Sequence, residues 1–516
     1  MNLPVLPWVL LTIVGTTSSY HILCLHHIPS MSHHNLGKGI VRALLKAGHE
    51  VTWVTPYPDK VFNNSNLTII DISIVAEVVG PLDERVRHAM SISMLKEITA
   101  TISHTTLHVK EFREALIKNQ YDAVVSEWFL SDVEAGYATI QQVPWILIST
   151  IVMHPHLEYL VDTVRTVPTH PMIMFDFPIP MNFQQRLING AVHILMTLGN
   201  WWYSYSEAAL YEASFAPLAK ARGVTLPPYS SALFNVSILF VNSHPSFAAV
   251  QSLPPNVIEI GGYHIDEETP ALPKDLQQIL DASPQGAIFF SMGSIFRSST
   301  LPESTKRDLI KMLGDLPYTV LWKFEEQIEN LPKNIHIRKW IPQPSVLAHP
   351  NTKVFISHAG LLSTLEALHY GVPMLAIPVF GDQPKNADSA SKQGRAIKVE
   401  FDPDMVPAVE AGLNELLNNS SYYNRTQYLS KLFRNRPVSP SKLISHYVEL
   451  AIETKGAYHI RSPALLYQWY QLMMLDQLLV LLVVLYILYL IIKLLFNFLK
   501  CIFKRLFYKN VKVKKN

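Results

Sequence analysis

Only two cysteines occur in 516 residues, Cys24 and Cys501. A long uncharged apolar run lies between them near the C-terminus, so no intrachain disulfide is expected to staple the fold and stability must come from a sizeable core. Concentrated positive charge is also missing. The formal net charge is +2, with Lys and Arg scattered except at the extreme C-terminus, which disfavours nucleic acid as a partner. No His/Cys ligand cluster appears, so no metal is expected. Internal repeats, low-complexity runs and coiled-coil heptads are absent too, which excludes solenoid and fibrous classes.

What is present begins at the ends. "MNLPVLPWVLLTIVGTTSSYHILCL" opens on an apolar run and reaches small residues at Thr16 to Ser19, predicting a secretory signal peptide over 1–19. The run "LLVLLVVLYILYLII", Leu478 to Ile492, carries no charge and predicts a transmembrane helix over 476–497. A Lys/Arg-rich, acid-free tail follows at 498–516, ending in "KVKKN" with Lys512 and Lys514. The positive-inside rule puts this tail in the cytosol and the large N-terminal part in the lumen. The two lysines resemble a dilysine retrieval signal, so the endoplasmic reticulum membrane is the expected location, single-pass with lumenal lobes. Sequons at Asn63, Asn66, Asn235, Asn418, Asn419 and Asn424 fit glycosylation there.

Between the ends, hydrophobic periodicity alternates strand and helix twice over. An apolar strand around Tyr20 to His26, a helical pattern at Leu36 to Lys46, the stop at Gly48 and a second strand form a βαβ unit. Strand candidates follow at Leu67 to Ile72, Ala123 to Ser126 and Trp145 to Ser149. Residues 154–235 are rich in Trp, Tyr, Phe, Met and Pro without clear period, which suits a cleft wall or irregular packing. After a Gly, Pro and acidic cluster at 261–275, "GAIFFSMGS", "YTVLWKF", "IHIRKWI", "TKVFIS", "PMLAIPV" and "RAIKVE" alternate with helical segments. The expected fold is α/β, with two Rossmann-like parallel-sheet lobes facing across a cleft. The predicted divisions are 20–265, 266–440, and 441–475 leading back to the membrane.

One stretch carries an unusual density of polar groups beside apolar runs. "FISHAGLLSTLEAL", from Phe355, reads as strand, small-residue turn and helix, so free N–H groups and the positive helix end point at the turn's occupant. A diphosphate fits, with His358 and Ser363 as donors and Glu366 as acceptor for ribose hydroxyls. Trp340 offers a flat face for a base, and Gln343 an amide. "FFSMGS" ends a strand at Gly293 and Ser294, where backbone could approach phosphate. The whole block Trp340 to Gln383, "WIPQPSVLAHPNTKVFISHAGLLSTLEALHYGVPMLAIPVFGDQ", closely resembles the signature of the UDP-glycosyltransferase family, which includes the UDP-glucuronosyltransferases, in its invertebrate-type membrane-bound branch.

That resemblance implies a GT-B fold and places Gly293, Ser294, Trp340, Gln343, His358, Gly360, Ser363 and Glu366 on the nucleotide, and Asp382 and Gln383 on the sugar. It implies His33, after Ser32, as catalytic base, with the adjacent His34 as the alternative. The family's partner aspartate is replaced here by Glu127, in "YDAVVSEW". Leu362 stands where plant relatives carry an asparagine. No Lys or Arg occurs between Arg222 and Lys274, where glucuronate users tend to place a partner for the sugar carboxylate, so UDP-glucose is expected over UDP-glucuronate. The expected reaction is inverting transfer of a hexose from a UDP-sugar to a hydroxyl of a small lipophilic acceptor, as in detoxification. A non-catalytic binding protein on the same fold and a lipid-modifying UDP-galactose transferase are the alternatives, and a homo- or hetero-oligomer is compatible with the reading.

Overall fold

The structure is a computed structural model that describes residues 19–58, 63–80, 92–161, 167–169, 171–172, 175, 177–248, 252–293, 296 and 298–513. The predicted signal segment up to residue 18, Ser294 and Lys514 lie outside the described residues. Two sheets organise the chain. The first contains β1 (His21–Leu25), β2 (Glu50–Thr55), β3 (Leu67–Asp71), β4 (Ala123–Trp128), β5 (Trp145–Ser149), β6 (Val236–Val241) and β7 (Val257–Glu259) in the order β3-β2-β1-β4-β5-β6-β7. The second contains β8 (Ala287–Ser291), β9 (Thr319–Lys323), β10 (Ile335–Arg338), β11 (Thr352–Ser357), β12 (Met374–Ala376) and β13 (Ala396–Lys398) in the order β10-β9-β8-β11-β12-β13.

Every pairing in both sheets is parallel. Parallel strands are covered on both faces, which is why "VVSEW", "WILIS", "VSILFV" and "AIFFS" are buried from end to end. Strand order reverses beside β1 in one sheet and beside β8 in the other. Each reversal opens a crevice at the carboxyl ends, between β1 and β4 and between β8 and β11.

The helices that matter for the site are α1 (Met31–Lys46), α2 (Phe183–Arg222), α3 (Leu361–Tyr370), α4 (Gln383–Lys392), α5 (Pro440–Glu453) and α6 (Leu475–Val513). Helix α1 begins five residues earlier than its apolar period suggests. Ser30 is extended at its N-cap, and the polar first turn, "MSHH", carries no hydrophobic signal of its own. Sequence reading names no strand in the first lobe beyond Ser149; β6 and β7 complete that sheet. About half of the aromatic-rich stretch is α2, a 40-residue helix opened by a capping box between Asn182 and Gln185 and closed by Gly223 in the left-handed conformation.

After the second sheet the chain returns. Ile444, Val448 and Ala451 of α5, spaced by four and three residues, pack into the same core as Ile40 and Leu44 of α1. Farther on, Arg461 donates to Asn235 Oδ1 at 2.9 Å and Ser237 Oγ at 3.0 Å, both at the start of β6. Helix α6 follows, exposed along its apolar run from Leu478 to Ile492. It is long and apolar enough to cross a bilayer.

Candidate functional site

His33 stands in the first turn of α1, directly after β1, and Glu127 near the end of β4, so the first sheet's reversal point brings them together. His33 Nδ1 donates to Glu127 Oε1 in a short contact, with Glu127 fully buried and the imidazole 17% exposed. Burial opposes charging of His33, but the charge and hydrogen bond of Glu127, with a smaller contribution from Asp382, hold its pKa above the usual 6.5. The bond to Nδ1 leaves Nε2 as the ring's basic atom.

His34 is a different residue in all but name. It is buried, stacks on Trp53 at 4.9 Å between centroids and bonds Thr55 Oγ1 at 3.1 Å. The two neighbours sit about 100° apart around α1, and only His33 faces Glu127. His34→Ala is therefore expected to leave kcat near the wild-type value and to cost about 2 kcal/mol of stability, as read from denaturant unfolding beside steady-state rates. The nearby His26 and His27 are pushed down to about 3 and about 4 by burial first and neighbouring histidines second, so both are neutral at pH 7.

The second sheet's reversal point builds a cradle. Gly293 follows β8 and His358 follows β11. Gly293 has φ +83°, and a Cβ there would stand 2.5 Å from the His358 ring; a Cβ on Gly360 would stand 2.5 Å from His358 Nε2. Both glycines thus let backbone close on one imidazole. His358 is lowered to about 4, by burial and then by Lys323, so it is a neutral ring, and its Nδ1 has no hydrogen-bond partner among the described residues. Gly360 caps α3 without a side-chain bond, leaving N–H groups of the first turn directed at the turn.

Gln343 Nε2 donates to Ser363 Oγ at 3.0 Å and to Glu366 Oε2 at 2.8 Å, which fixes those two side chains beside the cradle. Trp340 is 62% exposed, an open ring face at the rim. Asp382 lies in the turn before α4; burial raises its pKa, opposed by a bond from Asn386 at 2.7 Å and by the charge of His33. Gln383 turns inward, its Oε1 accepting from the N–H groups of Val379 and Phe380 at 2.8 and 3.1 Å, so its carbonyl braces the turn. The structure thus gathers Gly293, Gln343, His358, Gly360, Ser363 and Glu366 into one cradle. It also sets Asp382 within electrostatic reach of the His33–Glu127 pair on the other lobe.

Residues 24–507 match the family described as UDP-glucoronosyl and UDP-glucosyl transferase. The chain belongs to that family. It is a UDP-glycosyltransferase, a hexosyltransferase whose donor is a UDP-sugar. Among its relatives, UDP-glucosyltransferase 2 of Dactylopius coccus is 33% identical over 90% of each chain, and UDP-glucuronosyltransferase 1A1 of Mus musculus is 27% identical over 91% of this chain and 90% of that one. Solved structures share the fold at low identity. Spinosyn forosaminyltransferase SpnP has a TM-score of 0.57 at 17% identity, covering 84% of this chain and 100% of that one. CalG4, the calicheamicin glycosyltransferase, has a TM-score of 0.56 at 16% identity, covering 85% and 99%. The two parallel-sheet lobes of this glycosyltransferase are GT-B.

Sequence reading missed two side chains of this transferase's cleft. Lys323, the last residue of β9, donates to Gly293 O at 2.7 Å and stands near enough to His358 to affect its pKa. A lone Lys at the end of an apolar strand reads as a solvated edge, and only the sheet order reveals that this edge faces the Gly293–His358 cradle. His264, between the lobes, approaches Glu366 with its Nε2 3.3 Å from Oε1, and "YHIDEE" in a linker gives no sign of it.

Proposed function

We propose that this transferase moves glucose from UDP-glucose to the hydroxyl of a small lipophilic acceptor, inverting the anomeric centre, with its lobes in the lumen of the endoplasmic reticulum and a role in detoxification. The observation that carries the reading is a His33–Glu127 pair, its carboxylate buried and its imidazole partly open, facing a helix-start cradle across the cleft. His33 Nε2 takes the acceptor's O–H proton while that oxygen bonds to the anomeric carbon. The bond from that carbon to the β-phosphate oxygen breaks, and UDP leaves with the electron pair. The N–H groups of α3, the neutral His358 ring and the Lys323 charge are placed to stabilise the departing diphosphate. Glu366 and Gln343 are assigned to the ribose, Trp340 to the uracil, Asp382 and Gln383 to sugar hydroxyls, and Ser294 to the leaving diphosphate.

Glucose is favoured because no Lys or Arg lies between Arg222 and Lys274 and because Asp382, on the sugar side, would repel a second carboxylate. The name of the 33% identical relative supports the same donor. Offered a panel of UDP-sugars with a phenolic acceptor, the full-length enzyme is expected to show kcat/KM for UDP-glucose at least about tenfold above that for UDP-glucuronate, equivalent to 1.4 kcal/mol. Conjugate mass decides it, and a glucuronide as main product overturns the donor choice. Lumenal exposure of the lobes is supported by the sequons: Asn63, Asn66, Asn418 and Asn424 are exposed, whereas Asn235 is bonded to Arg461 and Asn419 caps a helix.

A further inference from the structure

Glu366 is held from two sides. Its Oε2 accepts from Gln343 Nε2 at 2.8 Å, within the second lobe, while its Oε1 lies 3.3 Å from Nε2 of His264, which comes from the segment joining the lobes. A carboxylate offers about four lone-pair sites, so one contact on each oxygen leaves room on both, the pattern that two neighbouring hydroxyls can fill. Both side chains are deeply buried, His264 at 3% and Glu366 at 10% exposure. Neither nitrogen of the His264 ring completes a hydrogen bond among the described residues, and a buried polar atom in that state costs free energy until a partner arrives. A histidine kept for packing alone would bring its own partner; this one meets only the carboxylate that faces the cradle.

The ring is fixed from the first lobe. Arg42 Nη2, on α1, donates to His264 O at 3.0 Å, and the same guanidinium pairs with Asp266. Gly39, one turn earlier, is where α1 and the joining segment meet. A Cβ there would stand 2.7 Å from Tyr263 O and 3.0 Å from His264 Cα, so the glycine is what lets the two backbones close. Tyr263 itself is buried in the core that holds Ile40 and Leu44 of α1. From the other side, Leu362 of α3 packs against that same core, and the hydroxyl of Tyr370, ending α3, lies 3.2 Å from Thr269 Oγ1. Helix α3 is therefore met by the first lobe or the joining segment at its first turn, at Glu366 and at its last residue.

We infer that His264 is a positioning residue of the donor site: fixed to α1, it holds the Glu366 carboxylate for the ribose hydroxyls, so that both lobes together, and not the second alone, bind the nucleotide. This rests on assigning Glu366 to the ribose. The probes are UDP and its dideoxy analogue, which lacks both ribose hydroxyls, each titrated by calorimetry into the full-length enzyme. Wild type is expected to bind UDP at least about tenfold more tightly than the analogue. His264→Ala should weaken UDP about tenfold and leave the analogue within about twofold of its wild-type affinity. His264→Gln, which keeps an N–H donor at similar reach, should recover most of the UDP affinity. Equal wild-type affinities for the two nucleotides remove the ribose from Glu366 and the inference with it. Wild-type discrimination that His264→Ala retains in full overturns the inference alone, because a ring that weakens both nucleotides equally, or neither, is only a strut between lobes. A Gln variant as weak toward UDP as the Ala variant overturns it as well.

Discussion

His33→Ala is expected to lower kcat by about three orders of magnitude while UDP still binds. A positioned general base contributes roughly 10²–10⁴-fold, and the base proposed here is one ring nitrogen, Nε2, with Nδ1 committed to Glu127. The cradle belongs to the other lobe and its side chains are fixed by one another, through Gln343, Ser363 and Glu366, so none of the groups proposed to hold the nucleotide leaves with the imidazole. The measurement pairs single-turnover rates with UDP affinity by calorimetry. Undiminished turnover removes His33 from the mechanism, and lost UDP affinity makes its role one of architecture.

Glu127→Gln is expected to lower kcat by about 10²-fold and to move the acid limb of kcat/KM to lower pH. The amide keeps an oxygen for the His33 Nδ1 proton but loses the charge. In the wild type a base must be deprotonated to act, so the rate falls as pH drops through the His33 pKa, which lies above 6.5. Removing the carboxylate leaves burial as the main influence, and burial lowers that pKa, so the limb shifts down. Stability should respond with its own sign. A folded-state pKa raised above the unfolded value contributes stability that is complete below about 6.5 and is lost as pH rises through the folded pKa. The gap in Tm between wild type and Glu127→Gln should therefore be widest in mild acid and narrow toward alkaline pH. A limb that stays in place, or moves up, would show that Glu127 does not set the base.

The cradle was legible in the sequence for a local reason. A strand, a glycine turn and a helix start are contiguous in "FISHAGLLSTLEAL", so the geometry that presents N–H groups to a phosphate is written in one segment. The first-lobe half is assembled from α1 and β4, 94 residues apart, and periodicity alone could not separate His33 from His34; the stacking of His34 on Trp53 does. Lys323 and His264 come from elements with no motif, and topology alone brings them to the cleft. Helix α2 escaped because large apolar residues stand on its exposed side while Asn189 and His193 are buried, which erases the amphipathic period by which helices are found.

The return of α5 to α1 also governs the order in which this protein can fold. Ile40 and Leu44 are made near the start of synthesis, but Ile444, Val448 and Ala451, which share their core, come some four hundred residues later. The first lobe must therefore wait, with part of its interior open, until the whole second lobe has been made, reversing the usual sequence in which an N-terminal unit closes before the next emerges. A ribosome halted anywhere before α5 would carry a first lobe with an exposed apolar groove along α1, and that groove, rather than the unfinished second lobe, is where a chaperone would find its longest-lived purchase.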